Sequence, residues 1–103
     1  MVTRSRLVLV VIVAVACHRE PSVRVEIDCP AYVAHLETVV AAHIDGLSGE
    51  AGESARRHFA ETNPAARVDL LAKCKAIGTT TSDKLECVMT ARTPDQVSAC
   101  PDL

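Results

Sequence analysis

Cys29-Pro30-Ala31-Tyr32-Val33-Ala34-His35-Leu36-Glu37-Thr38-Val39-Val40-Ala41-Ala42-His43-Ile44-Asp45-Gly46 is the stretch from which the fold follows. Val33, Leu36, Val40, His43 and Leu47 recur at alternating steps of three and four, so one stripe of a helix faces a partner. Val39 and Ile44 widen that stripe. Pro30 suits a first helical turn, where its missing N–H costs nothing, and Gly46 suits a helix end. The spacing predicts a helix over residues 30–45.

Downstream, Gly46, Gly49 and Gly52 read as breakers of a turn. A weaker helix is expected over 53–61, with Ala55 and Phe59 inward and Glu53/Arg57 as an i,i+4 surface pair. Asn63-Pro64 then reads as N-cap and first turn of a third helix, or as a kink continuing the second. Leu70, Leu71, Cys74 and Ile77 share its face, and Gly78 ends it. A polar loop over 79–82 leads into a helix over 83–92 that buries Leu85, Val88 and Met89. Thr93-Pro94-Asp95-Gln96 is a capping box that opens a last short helix to Cys100. The expected class is all-α: a small up-and-down bundle of three to five short helices.

Upstream, residues 18–28 read as a tether. Pro21 and the mixed charges of Arg19, Glu20, Arg24 and Glu26 discourage a helix. Val23, Val25 and Ile27 alternate as in a strand, but no second strand is evident for pairing, so extended linker is expected.

Residues 1–17 have a different character. Arg4 and Arg6 precede Leu7-Val8-Leu9-Val10-Val11-Ile12-Val13-Ala14-Val15-Ala16-Cys17. A positive start, an apolar run and small residues before a cysteine are the anatomy of an export signal. About ten apolar residues are too few for a spanning helix, which needs roughly 20. Ala14-Val15-Ala16 satisfies an ordinary small-x-small cleavage rule. Ala14-Val15-Ala16-Cys17 also resembles the lipobox of bacterial lipoproteins, with Ala14 where the pattern usually has Leu. That resemblance implies that Cys17 is diacylglycerylated, becomes the new N-terminus and is further acylated with fatty acids such as palmitate. Several acyl chains hold a protein at a membrane where one is marginal. The expected organisation is a signal peptide over 1–16, a lipid-anchored tether over 17–28 and a helical domain over 29–103. His18 at the second mature position, where an Asp would favour inner-membrane retention, points to the outer membrane.

Loss of residues 1–16 leaves 87 of the 103 residues, enough for one small domain. It removes Arg4 and Arg6 and takes the net charge from −2 to −4. A mildly acidic chain lacks the basic footprint that nucleic acid requires. Thirteen of the remaining apolar residues are Ala, and Tyr32 and Phe59 are the only aromatics, so the core is thin. Chains of this size usually need staples. Cys29, Cys74, Cys87 and Cys100 supply an even number in an exported context, and two disulfides are expected. Helix heights favour the nested pairing, Cys74–Cys87 with Cys29–Cys100. The sequential pairing, Cys29–Cys74 with Cys87–Cys100, fits nearly as well.

The sequence offers little chemistry. Cysteine gaps of 44, 12 and 12 residues do not match the short pairs of zinc sites, and no C-x-x-C is present. His35 and His43 lie eight apart, too far for adjacent helical ligands. His43, on the apolar stripe, is expected at least half-buried, and His35 and His58 on polar faces. Ser48 lies beside Gly49 without the strand and flanking glycines of a nucleophile elbow. Glu50, Glu53 and Glu61 read as a solvated face. No catalytic residue, metal or cofactor is expected.

Leu71-Ala72-Lys73-Cys74, Leu85-Glu86-Cys87-Val88-Met89-Thr90-Ala91 and Pro94-Asp95-Gln96-Val97-Ser98-Ala99-Cys100 together resemble small, uncharacterised four-cysteine helical lipoproteins of myxobacterial or other deltaproteobacterial type. The resemblance covers about 70 residues and implies no activity. The expected role is that of a non-enzymatic cell-envelope lipoprotein, held to a membrane by its anchor and acting by contact with an envelope protein. The alternative is a small periplasmic ligand- or metal-binding module using the Tyr32/His43 face.

Overall fold

The computed structural model describes residues 23–103. The expected signal peptide, Cys17 and the first part of the expected tether lie outside the described residues. Three quarters of the described residues are helical, in four helices with one two-stranded ribbon. The order is β1 (Arg24–Glu26), α1 (Cys29–Asp45), α2 (Gly49–Ile77), β2 (Thr79–Thr81), α3 (Ser82–Thr90) and α4 (Pro94–Ala99). The all-α class expected from the sequence is the class observed.

Helix α1 begins where the Asp28 carboxylate accepts a hydrogen bond from the Ala31 N–H at 3.3 Å, with Pro30 in the first turn. It ends where the Gly46 N–H folds back on the carbonyls of Ala42 and His43. Three residues later the chain re-enters helix, and here the sequence reading is corrected. The segments expected at 53–61 and 64–77 are one 29-residue helix with Pro64 inside it. Gly52 is not a breaker but a buried member of its first turn. Asn63 is not a cap either: its Nδ2 donates to Glu37 Oε2 across the hairpin. An interior proline costs about 3 kcal/mol in an otherwise free helix. Contacts to α1 on both sides of Pro64 hold this one together. Ala60, whose carbonyl loses its usual donor to the proline ring, is exposed to water. The i,i+4 ion pair that forms on α2 joins Lys73 to Asp69 at 2.8 Å, and Glu53 and Arg57 form none.

Helices α1 and α2 pack antiparallel. Cys29 bridges to Cys74 at one end of the pair, with Cα atoms 5.8 Å apart, and Glu37 meets Arg67 two turns further along. The extended tether residues continue the pair beyond this disulfide. Arg24, Val25 and Glu26 align antiparallel with Thr81, Thr80 and Thr79, and the Ile27 N–H donates to the Gly78 carbonyl. This corrects two expectations at once. The alternating Val23-Val25-Ile27 segment does find a strand partner, and that partner is the segment expected to be a polar loop. Gly78, at φ 72°, makes the sharp exit from α2 that permits it.

The second disulfide joins Cys87 to Cys100, so the pairing is sequential and the narrowly favoured nested pattern is overturned. The nested pattern required α3 to run back along α2. Three residues of ribbon intervene instead, and α3 packs Leu85 on the Cys29–Cys74 core while Ala91 beyond its end meets His35 of α1, so Cys87 is left to pair with Cys100. The capping box at Thr93 forms: Thr93 Oγ1 accepts from the Gln96 N–H at 3.2 Å, and Gln96 Oε1 accepts from the Arg92 N–H at 2.7 Å. The C-terminal pair is fixed to α1 by His35, whose Nε2–H donates to the Ala91 carbonyl at 2.9 Å.

The core therefore sits at the ribbon end. Ile27, Cys29 and Cys74 are buried together, with Tyr32, Leu71, Leu85 and Leu103 packed on them. Beyond Val39 no residue of α1 is buried, and in α2 only Gly52 and Cys74 are.

Candidate functional site

The apolar stripe of α1 closes at one end and opens at the other. Val33 and Val39 are buried, whereas Val40 is 37 % exposed and Leu47 39 % exposed. The ribbon and α3–α4 gather around the Cys29 end, so among the described residues the far half of the hairpin has only its two helices. Two helices cannot enclose a stripe that runs the whole length of each.

A groove follows along this far half. Leu36 and Val40 of α1 form one wall, and Phe59, Ala66 and Leu70 of α2 the other, with Thr62 and Asn63 at the edge; its volume is about 230 Å³. It is open to solvent along its length. A second depression of about 360 Å³ lies between Pro30, Val33, Ala34, Glu37, Arg67 and Leu71. An ion pair forms part of that wall, so it presents less continuous apolar surface.

Glu37 borders both depressions. Arg67 clasps it through two bonds of 2.7 Å, Nε to Oε1 and Nη2 to Oε2, and Asn63 adds a third at 3.2 Å. The hydrogen bond from Arg67 is the main force holding the Glu37 carboxyl below its usual range, with smaller help from Asn63 and from the guanidinium charge, against some desolvation. Sequence reasoning missed all three residues. Glu37 and Arg67 lie thirty apart, and they become facing neighbours only once 49–77 is a single helix.

The residues singled out as an alternative site do not come together. Tyr32 is half-buried against the disulfide core, and burial raises its phenol pKa. His43 is exposed, contrary to its expected burial. Eleven residues of helix, about 16 Å along the axis, separate the two. His35, expected on a polar face, is the half-buried histidine. His58 is exposed as expected, and Glu50, Glu53 and Glu61 are a solvated face. Ser48 precedes α2 without a side-chain cap bond. Among the described residues, no group of three or more His, Cys, Asp or Glu is arranged to hold a metal ion. Among them, too, no helix is long and apolar enough to cross a membrane.

An open, shallow, largely apolar groove with a half-buried aromatic gains by being covered with another apolar surface. The groove is open to solvent rather than enclosed. No protein-family model, curated protein or solved structure matches this chain.

Proposed function

We propose that this chain is a non-enzymatic cell-envelope lipoprotein, anchored through Cys17, that acts by protein contact. The anchor half of the reading rests on the sequence alone: Arg4 and Arg6, the apolar run from Leu7, and small residues before Cys17. The contact half is carried by one observation, the open groove with Phe59 in its wall. His18 in the second mature position supports delivery to the outer membrane, facing the periplasm or the cell surface.

The two halves have separate tests. Replacing Cys17 with Ser moves the protein from the membrane fraction to the soluble fraction or leaves it unprocessed. Equal membrane partition of both forms removes the lipid anchor. For the contact, a photo-cross-linking residue at Val40 gives discrete protein adducts, and the same residue at Val68, exposed but outside the groove, gives none. Equal adducts from both positions remove the groove as the contact surface.

A further inference from the structure

The two disulfides differ in what holds the chain around them. Cys29 and Cys74 lie in the buried cluster and join α1 to α2. Cys87 and Cys100 are both half-exposed, and they join α3 to the end of α4. Up to Ala91 the chain is well seated. Val88 and Ala91 are buried, and the Ala91 carbonyl accepts a hydrogen bond from His35 of α1. After Ala91 this changes. Helix α4 has six residues, none of them buried. Helices shorter than ~12 residues are marginal in water without packing. The capping box lies within residues 92–96, so it holds α4 together without tying it to the rest of the chain. That leaves the Cys87–Cys100 bridge as the strong tie on residues 92–103.

Those residues reach back to the core. Tyr32, Leu71, Leu85 and Leu103 are the half-buried side chains packed on Ile27, Cys29 and Cys74. The first three stand on α1, α2 and α3, which keep their own seats. Leu103 follows Cys100, so its place on the buried bridge depends on the exposed one.

We propose that Cys87–Cys100 is a redox latch. Its reduction by a dithiol frees residues 92–103 and lifts Leu103 from the core, which opens Cys29–Cys74 to a second exchange. A thiolate of the dithiol attacks one sulfur of the outer bridge, the S–S bond breaks, and the other cysteine leaves as a thiolate. The second thiol of the reagent then displaces the cysteine still held in the mixed disulfide. The dithiol ends as a disulfide, and both cysteines take up protons as thiols. Exchange depends on access to the attacked sulfur, which the half-exposed bridge offers and the buried one does not. The proposal goes beyond the contact reading and uses neither the anchor nor the groove, so the tests at Cys17 and Val40 report separately.

The oxidised full chain is treated with dithiothreitol, quenched by alkylation at intervals and mapped by mass spectrometry. Two rates are read for Cys29–Cys74, one with the outer bridge closed and one with it open. The second is expected to exceed the first at least about tenfold, because a local release replaces a larger opening. Cys87→Ser with Cys100→Ser reproduces the fast rate from the start. Leu103→Ser, with both bridges intact, raises the slow rate. In the double serine variant, amide hydrogens of α4 exchange freely while those of α1 and α2 stay protected, and urea below the unfolding transition leaves the fast rate unchanged. Equal rates with the outer bridge open and closed overturn the proposal. So does protection of α4 that survives in the double serine variant. Loss of protection throughout α1 and α2, or a rate that climbs with urea, would make the outer bridge a general staple instead of a latch, and overturns it as well.

Discussion

The backbone carbonyl of Leu47 lies against Gly52, where a Cβ would stand 2.5 Å from the oxygen. The turn between α1 and α2 folds directly onto the first turn of α2, and only a residue without a side chain permits it. Alanine at 52 should gain about 1 kcal/mol of helix propensity and lose more than it gains, because the obstructing atom is backbone. Gly52→Ala is expected to destabilise the domain by about 1–3 kcal/mol in urea unfolding. A neutral or stabilising result would show that the turn relaxes freely. Gly49 offers the contrasting case: nothing lies within 4 Å of its Cβ position, and its φ of 69° alone disfavours substitution.

Glu37 makes stability depend on acid. Its carboxyl is held below the ordinary value of 4.5 in the folded chain, chiefly by the Arg67 hydrogen bond. A group depressed on folding contributes stability that is present above its unfolded pKa and is lost as pH falls through the folded one. Wild type should therefore melt above Glu37→Gln at pH 7, and the gap should narrow as pH drops below about 4.5. A gap independent of pH would remove the ionic clasp as its cause.

Thr80 carries a buried hydroxyl that finds no hydrogen-bond partner among the described residues, at 2 % residue exposure in β2. Removing an unpaired buried hydroxyl while keeping the branched shape relieves a desolvation cost of about 1–3 kcal/mol. Valine also suits a strand. Thr80→Val is expected to raise the melting temperature, and a fall would mean that the hydroxyl is satisfied in solution.

The two disulfides should open in a fixed order. Cys29 and Cys74 are buried, at 7 % and 2 % exposure, while Cys87 and Cys100 are both partly exposed. Graded reduction followed by alkylation and peptide mapping should label positions 87 and 100 first. In the chain-entropy account, closing the 45-residue separation contributes about 4 kcal/mol and the 13-residue one about 3. Loss of the Cys29–Cys74 bridge should therefore cost more. Early labelling of Cys29 or Cys74 would count against the buried core at the ribbon end.

What the sequence determined is what acts over a few residues. The steps of three and four from Val33 to His43 make α1, Pro30 and Gly46 bound it, and Thr93 with Gln96 opens α4. Each depends on neighbours within about one turn, so each is legible in the residues themselves. Cysteine number and the expected export signal likewise sufficed to expect two bridges.

Only tertiary structure decided the rest, because the deciding contacts join residues far apart in sequence. Pro64 and Gly52 read locally as a start and a stop, but α1 lies along α2 past both and holds one helix through them. Val25 reads as a strand without a partner until the hairpin brings Thr80 beside it. The same docking places α3 and α4 at the Cys29 end, which sets the sequential disulfides. It also half-buries His35 where the stripe promised His43, and it leaves Phe59 in an open wall. Periodicity can say that a face is apolar. Whether anything covers that face depends on where the rest of the chain is anchored.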